Sequence, residues 1–360
     1  VTSQKPFRWL VYGILIFTLI YLISLTGFIF VPVGLLIASI AVPIVGAGLL
    51  FYITNPLVNL LEKYKVKRIF GVLIVFVLII LVGYLITLFL VPPLQEQMTR
   101  LVNNAPAIAN WFEELWIMWQ NRQEFLPQAM EDSVQNVIDN LDTYAENVIT
   151  SLFSVISSLF SFLFSFVMIP FFLFFMLKDG HKFAPFITQF FSEQKAKSLN
   201  LLLVNINKTL SSFIQGQAIV SLVVGIILLI GYSIVGLNYA LVLALFGLFM
   251  NLIPFVGPWL SAIPAVIIGF FQDPMVGVWT AVIMIVAQQI EGNFISPNVM
   301  GKVLNLHPLT VITVILAAGA IFGFVGLLLA VPSYAVAKTI ISHFYHVYTN
   351  SRPVGQKNIF

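Results

Sequence analysis

The sequence contains no cysteine, which excludes disulfides, thiolate metal sites and cysteine nucleophiles together. Charge is almost as scarce: Asp, Glu, Lys and Arg make up 9% of 360 residues, where a soluble domain carries about a quarter. No G-x-x-x-x-G-K-[ST] loop is present, so ATP-driven pumping in cis is not expected. H-E-x-x-H, G-x-S-x-G and paired membrane aspartates are missing too, which argues against an intramembrane enzyme. His307 precedes Pro308, and His343 and His346 lie at a basic end, as loop and interface residues do. No metal site, no cofactor and no nucleic-acid partner is therefore expected.

What fills the space is apolar. Hydrophobic residues make up 60% of the chain, Phe alone occurs 34 times, and the mean hydropathy is +1.02. Crossing the hydrocarbon takes about 20 residues of helix, and runs of that length recur: Trp9 to Val31, Val33 to Tyr52, Ile69 to Val91, Leu152 to Leu177 and Phe213 to Val235. The second contains Pro43, Gly46 and Gly48 and is expected to end at Asn55-Pro56. The expected fold is an all-α membrane protein of about 7–8 transmembrane segments in the bilayer, with an external helical insertion and two Gly/Pro-interrupted hairpin-like elements.

Charge placement orients these spans. Nine of the fourteen acidic residues fall between Pro92 and Thr150, against only Arg100 and Arg122. Lys5, Arg8, Lys63, Lys65, Lys67, Arg68, Lys178, Lys182, Lys195, Lys197, Lys208, Lys338, Arg352 and Lys357 flank the other ends. Counting Lys and Arg near span ends puts both termini on the cytoplasmic side of the cell membrane and residues 92–150 outside. The organisation expected is spans 1–3 in 1–91, the external insertion in 92–150, and span 4 with a basic cytoplasmic connector in 151–208. A transport core in 209–345 and a cytoplasmic tail in 346–360 complete it.

The insertion is patterned. Leu94, Met98, Leu101, Ala105, Ile108, Phe112, Leu115 and Trp119 step by three and four, and Val134, Ile138, Leu141, Ala145 and Val148 repeat the pattern. Such a seam seeks a partner helix. Two partners fit: the insertion's own second helix, or a neighbouring subunit in a homo-oligomer. Pro106 is expected to bend or restart the first helix. Ser151, Ser154, Ser158, Ser161 and Ser165 form a second stripe, suited to close helix packing or to a hydrophilic lining.

Beyond Tyr239 the pattern breaks twice. Asn251-Leu-Ile-Pro254-Phe-Val-Gly257-Pro258 interrupts the stretch Tyr239–Phe271, and Gly319, Gly323, Gly326 and Pro332 punctuate Leu309–Tyr345. Backbone freed at membrane depth must be satisfied by protein or a water-filled cavity. Paired interrupted segments therefore point to a transporter binding site. Between them an apolar helix, Val276–Ile290, runs into Gln288-Gln289-Ile-Glu291-Gly-Asn293-Phe-Ile-Ser296-Pro297-Asn298. Gln288 and Glu291 share a helix face, and so do Gln289 and Asn293 if the helix continues.

At these residues the chain resembles the AI-2E (autoinducer-2 exporter) transporter family. The likeness rests on Ile253-Pro254-Phe255-Val256-Gly257-Pro258, Gln289-Ile290-Glu291-Gly292-Asn293, Pro297-Asn298-Val299-Met300-Gly301-Lys302, Leu306-His307-Pro308-Leu309 and Gly323-Phe-Val-Gly326 with Ala330-Val331-Pro332. It departs at Asn298, where the family carries a basic residue after the proline. The resemblance implies a multispan secondary transporter, either exporting a small autoinducer-2-like solute or exchanging Na⁺ or Li⁺ for H⁺. A passive channel, or a scaffold organised by the external helices, is the alternative.

Glu291 is the expected coupling residue. Apart from the insertion's nine acids, Glu62, Asp179 and Glu193 sit among lysines and Asp273 in a Pro-bounded turn. An acid near membrane depth is costly and is retained for a purpose. Gln288, Gln289, Asn293 and Asn251 are its expected neutral co-ligands, with Pro254, Gly257, Pro258, Ser296, Pro297 and Asn298 shaping the site for a small solute or cation. The competing reading makes Glu291 a turn cap or a structural partner of Lys302.

Overall fold

The computed structural model describes residues 5–120, 168–300 and 307–350, and among them every regular element is helical. The serine stripe, the second external seam, Lys302 and the C-terminal tail lie outside the described residues. The chain runs α1 (Lys5–Leu25), α2 (Gly27–Lys63), α3 (Arg68–Phe89) and α4 (Val91–Gln120). It resumes with α5 (Met168–Asp179), a 3₁₀ turn (Gly180–Lys182), α6 (Phe183–Thr188) and α7 (Glu193–Val235). α8 (Ala240–Met250), α9 (Gly257–Gln272) and α10 (Pro274–Ile290) follow, then a π turn (Glu291–Ile295), α11 (Ser296–Met300) and α12 (Pro308–Asn350).

Among the described residues, five helical stretches are long and apolar enough to cross a membrane: Gly34–Lys63, Arg68–Phe89, Glu193–Val235, Pro274–Val299 and Pro308–Val347, the last divided by a break at Gly323. With the shorter apolar helices Trp9–Ile23, Ala240–Met250 and Gly257–Gln272, this is an all-α, multi-pass membrane protein.

Several expected boundaries move. α2 continues through Asn55-Pro56 to Lys63, with Pro32, Pro43 and Pro56 all inside it. Neighbouring helices tolerate proline in a membrane helix by shielding and re-satisfying the freed carbonyls. Pro106 likewise lies inside an unbroken α4. α7 is 43 residues, roughly 65 Å at 1.5 Å per residue, so the last part of the expected basic connector, from Glu193 to Lys208, is the N-terminal part of this helix.

Three apolar clusters organise the helices. Ala47, Val58, Val72, Val75, Ile169, Leu173 and Leu177 join α2, α3 and α5. Arg68 clamps one end of this bundle: its Nε donates to Leu177 O at 2.6 Å, and its guanidinium reaches Glu62 (2.9 Å) and Asn55 (3.2 Å). Gln215 Nε2 donates to Tyr52 O at 2.8 Å and Tyr52 OH to Asn207 Oδ1 at 3.3 Å, which ties α2 to α7.

The second cluster joins α4 to the core. Met98 and Leu101, flanked by Leu94 and Ile108, pack with Val220, Val224, Leu228, Leu243 and Ala244. Gln97 Oε1 accepts from the Leu241 and Val242 amides at the start of α8, and Asn104 donates to Tyr239 OH at 2.7 Å. α8 has no side-chain cap of its own at Tyr239, so a residue of α4 supplies one. From Leu94 to Ile108 this part of the seam packs on α7 and α8 of the same chain.

Candidate functional site

The site forms where two interrupted hairpins meet. The first is α8 and α9, separated by residues 251–256, where Phe255 sits at φ 64°. A non-glycine residue in that region is strained, and such strain collects at functional turns. Gly257 makes the turn fit: a Cβ there would stand 1.8 Å from Met250 O. Pro258 follows in the first turn of α9, where its missing N–H costs nothing. The base is sealed at the C-terminal end of α7, where Gln272 Nε2 donates to Gly236 O at 2.9 Å and Asn238 N to Gln272 Oε1 at 2.8 Å.

The second hairpin is α12, which folds back at Gly323 (φ 59°, ψ −142°). Only glycine adopts that backbone readily. The two arms are close enough that a Cβ on Gly326 would lie 2.0 Å from Ala318 O. Its base is anchored far from the first, on the N-terminal half of α7, through Ser198–His343 (2.9 Å) and Thr209–Thr339 (3.5 Å).

The tip of the first hairpin inserts against the body of the second. Ile253 is buried with Val311, Ile315, Ala330 and Val331 of α12 and Phe213 of α7. At this level the backbone of α10 widens into the π turn at Glu291. Such turns re-aim side chains and recur at functional sites.

The Glu291 carboxyl has the side-chain amides of Asn251 and Gln288 turned toward it. Asn251 Nδ2, Gln288 Nε2 and Glu291 Oε2 are all buried, and none completes a hydrogen bond of good geometry. Buried polar atoms are normally paired. Three unpaired ones converging from two broken elements make an arrangement that a ligand or proton would complete.

α7 supplies a further wall. Gln217 is buried and its Nε2 donates to Asn251 O at 2.5 Å. Ser221, one turn along the same face, is fully buried with its Oγ unpartnered. The sequence reading missed both residues. Their signal was polar side chains four apart inside an apolar span, the pattern that membrane depth makes costly.

The other expected site residues separate into groups. Gln289 and Asn293 do share a face, and Asn293 Nδ2 donates to Gln289 Oε1 at 2.9 Å, but both are exposed and bond each other rather than Glu291. Pro254, Gly257 and Pro258 shape the first break. Ser296, Pro297 and Asn298 form the short α11, with Pro297 and Asn298 exposed. Asp273 is the N-cap of α10, accepting from Met275 N at 2.7 Å. Among the described residues no group of three His, Cys, Asp or Glu side chains gathers to hold a metal ion.

Comparison with known proteins adds to this geometry. A family model described as AI-2E family transporter matches residues 15–346. Two relatives named for transport are similar over most of the chain. YueF of Bacillus subtilis strain 168 is 34% identical over 345 residues, covering 93% of this chain and 92% of YueF. PerM of Escherichia coli K12 is 26% identical, covering 90% and 91%. A protein of Halobacillus andaensis named sodium-lithium/proton antiporter is 24% identical, covering 86% of this chain and 91% of its own length.

Proposed function

Because the chain belongs to the AI-2E transporter family and its role is membrane transport, we propose that it is a secondary exchanger in which Glu291 carries alternately a proton and a monovalent cation, Na⁺ or Li⁺. The observation that carries this reading is the convergence of Glu291, Asn251 and Gln288 as unpartnered buried groups at the meeting of two interrupted elements. Hard cations prefer oxygen ligands. The Asn251 and Gln288 amides present nitrogens to the carboxylate and can turn their oxygens to a bound cation by rotating the terminal amide; with no group of three His, Cys, Asp or Glu side chains among the described residues, the site suits a single positive charge better than a divalent ion. Glu291 lies on Pro274–Val299, a stretch long enough to span, so a charge there needs a partner, and a proton or a cation serves equally. The sodium-lithium/proton antiporter relative supports the same ion pair. The basic flanks favour cytoplasmic termini, with α4 external.

The test is exchange in proteoliposomes with an imposed pH gradient, read as Na⁺- or Li⁺-dependent proton release. Glu291→Gln retains size and removes titration. Loss of exchange with retained folding supports the reading; a variant that exchanges at the wild-type rate with the same pH dependence overturns it.

A further inference from the structure

Where the chain leaves α5, it presents aromatic surface outside the spanning helices. Phe183, Phe186, Phe190 and Phe191 are between 48% and 71% exposed, while Ala184, Ile187 and Thr188 of α6 are half-buried. Phe183 and Phe186 stand at i and i+3 on one face of α6, and Phe190 follows in the turn beyond it. The Phe186 and Phe190 rings meet edge to face at 5.6 Å. A stripe this apolar does not stay in water without a partner.

Two observations identify what covers it. The stripe follows α5 in the chain, where Phe171 and Phe175 are also exposed and meet edge to face at 4.9 Å, and only residues 178–182 separate it from the exposed phenylalanines of that apolar helix. It is also bracketed by cations: Lys178 and Lys182 before it, Lys195 and Lys197 after it, against only Asp179 and Glu193. Lys182 Nζ bonds Asp179 at 2.7 Å and Lys197 Nζ bonds Glu193 at 2.8 Å. The hydrogen bond from Lys182 is the main reason the Asp179 carboxyl lies below its usual range. Lys178 also lies 4.0 Å from Asp179, and Lys195 is exposed, so the segment keeps an excess of positive charge.

We infer that residues 183–191 lie in the membrane interface as an in-plane anchor, the four phenylalanines among acyl chains and the flanking lysines on anionic phospholipid headgroups. A short aromatic segment flanked on both sides by lysines has the chemistry for that boundary, and each lysine near an anionic leaflet adds attraction. The inference stands apart from the exchange reaction, because it needs only that α5 and α7 enter the bilayer on either side of the segment.

The native chain lacks cysteine, so single-cysteine variants F186C and F190C carry a nitroxide at one known place. The probe is the full-length protein in vesicles of phosphatidylcholine with phosphatidylglycerol, compared with phosphatidylcholine alone. Q194C, at an exposed position beyond the stripe, is the water reference. At 186 and 190, accessibility to oxygen is expected to exceed accessibility to a water-soluble nickel chelate, with the reverse at 194. Removing phosphatidylglycerol, or introducing K195Q/K197Q, is expected to lower the oxygen-to-nickel ratio by up to about fivefold per lysine. Nickel accessibility above that of oxygen at both positions overturns the anchor. Spin–spin broadening that disappears on dilution with unlabelled protein assigns the stripe to a second copy instead, and an unchanged ratio without anionic lipid removes the headgroup half of the inference.

Discussion

The close approach at Gly257 gives the most direct test of the first break. A Cβ added there would stand 1.8 Å from Met250 O, 2.5 Å from Met250 C and 3.1 Å from Asn251 N. Carbon–oxygen contacts settle near 3.3–3.6 Å, so the two backbone segments must separate by roughly 1.5 Å. Neither atom belongs to a side chain that can rotate away. The separation strains the turn bonds Gly257 N to Ile253 O (3.0 Å) and Ile253 N to Met250 O (2.9 Å), and it moves Asn251 relative to Glu291. Overpacking of this kind costs about 1–3 kcal/mol. At roughly 2–4 °C per kcal/mol for a domain of 150–250 residues, Gly257→Ala is expected to melt about 2–12 °C below the parent in detergent. Displacing a positioned group by about 1 Å costs on the order of a hundredfold in rate, so exchange should fall by a similar factor. Gly292→Ala is the control: it sits one residue beyond Glu291, and an added Cβ there meets nothing within 4 Å. Its melting temperature should stay within about 2 °C of the parent's. If Gly257→Ala matches Gly292→Ala in both melting and exchange, the tight turn does not hold the site.

Other perturbations separate the roles of neighbouring residues. Gln217→Leu removes the buried donor to Asn251 O; an unsatisfied buried acceptor costs about 1–3 kcal/mol, so the half-saturating Na⁺ or Li⁺ concentration should rise about 5- to 150-fold, measured by titrating exchange at fixed pH. Asp273→Ala removes the α10 cap and should lower stability by about 1 kcal/mol while leaving the pH profile of exchange unchanged. A changed profile would mark Asp273 as a second titrating group. Gly323→Ala forces an L side chain into φ 59°, ψ −142°, a conformation that costs about 1–3 kcal/mol, and should reduce folded yield measured by size-exclusion chromatography.

The class and the two interrupted elements were legible because prolines and glycines within an apolar run have few other readings. Glu291 was singled out by elimination among five acids outside the insertion. The helix boundaries were harder. Pro56 and Pro106 signal breaks locally, yet both lie inside helices, because packing and burial elsewhere outweigh one lost hydrogen bond. The partner of the α4 seam was also hidden. Periodicity shows that a face is apolar but not which surface covers it, and here Gln97 and Asn104 direct the face to α8 through polar contacts 135 or more residues away in sequence. Gln217 escaped notice for the opposite reason, since its meaning depends on a backbone carbonyl 34 positions on.

The placement of the two hairpins bears on how a site between them can face either side of a membrane. The first is anchored at the C-terminal end of α7 through Gly236 and Gln272, and the second along its N-terminal half through Ser198 and Thr209. Their only shared apolar cluster among the described residues is the one around Ile253. That side chain is 1% exposed, so it has no slack: a displacement of α12 must carry residues 251–256 with it or open a cavity. A cavity the size of a large aliphatic side chain costs about 2–5 kcal/mol, as much as or more than the roughly 1–3 kcal/mol by which coupled sites usually influence each other. Asn251 lies two residues from Ile253 and is held from the other side by Gln217 on α7. Movement of the second hairpin is therefore felt directly at the group facing Glu291. Under the proposed exchange the reverse follows: a cation that drew Asn251 toward Glu291 would bias the packing of Ile253 against α12, giving occupancy of the site mechanical access to the element anchored at the opposite end.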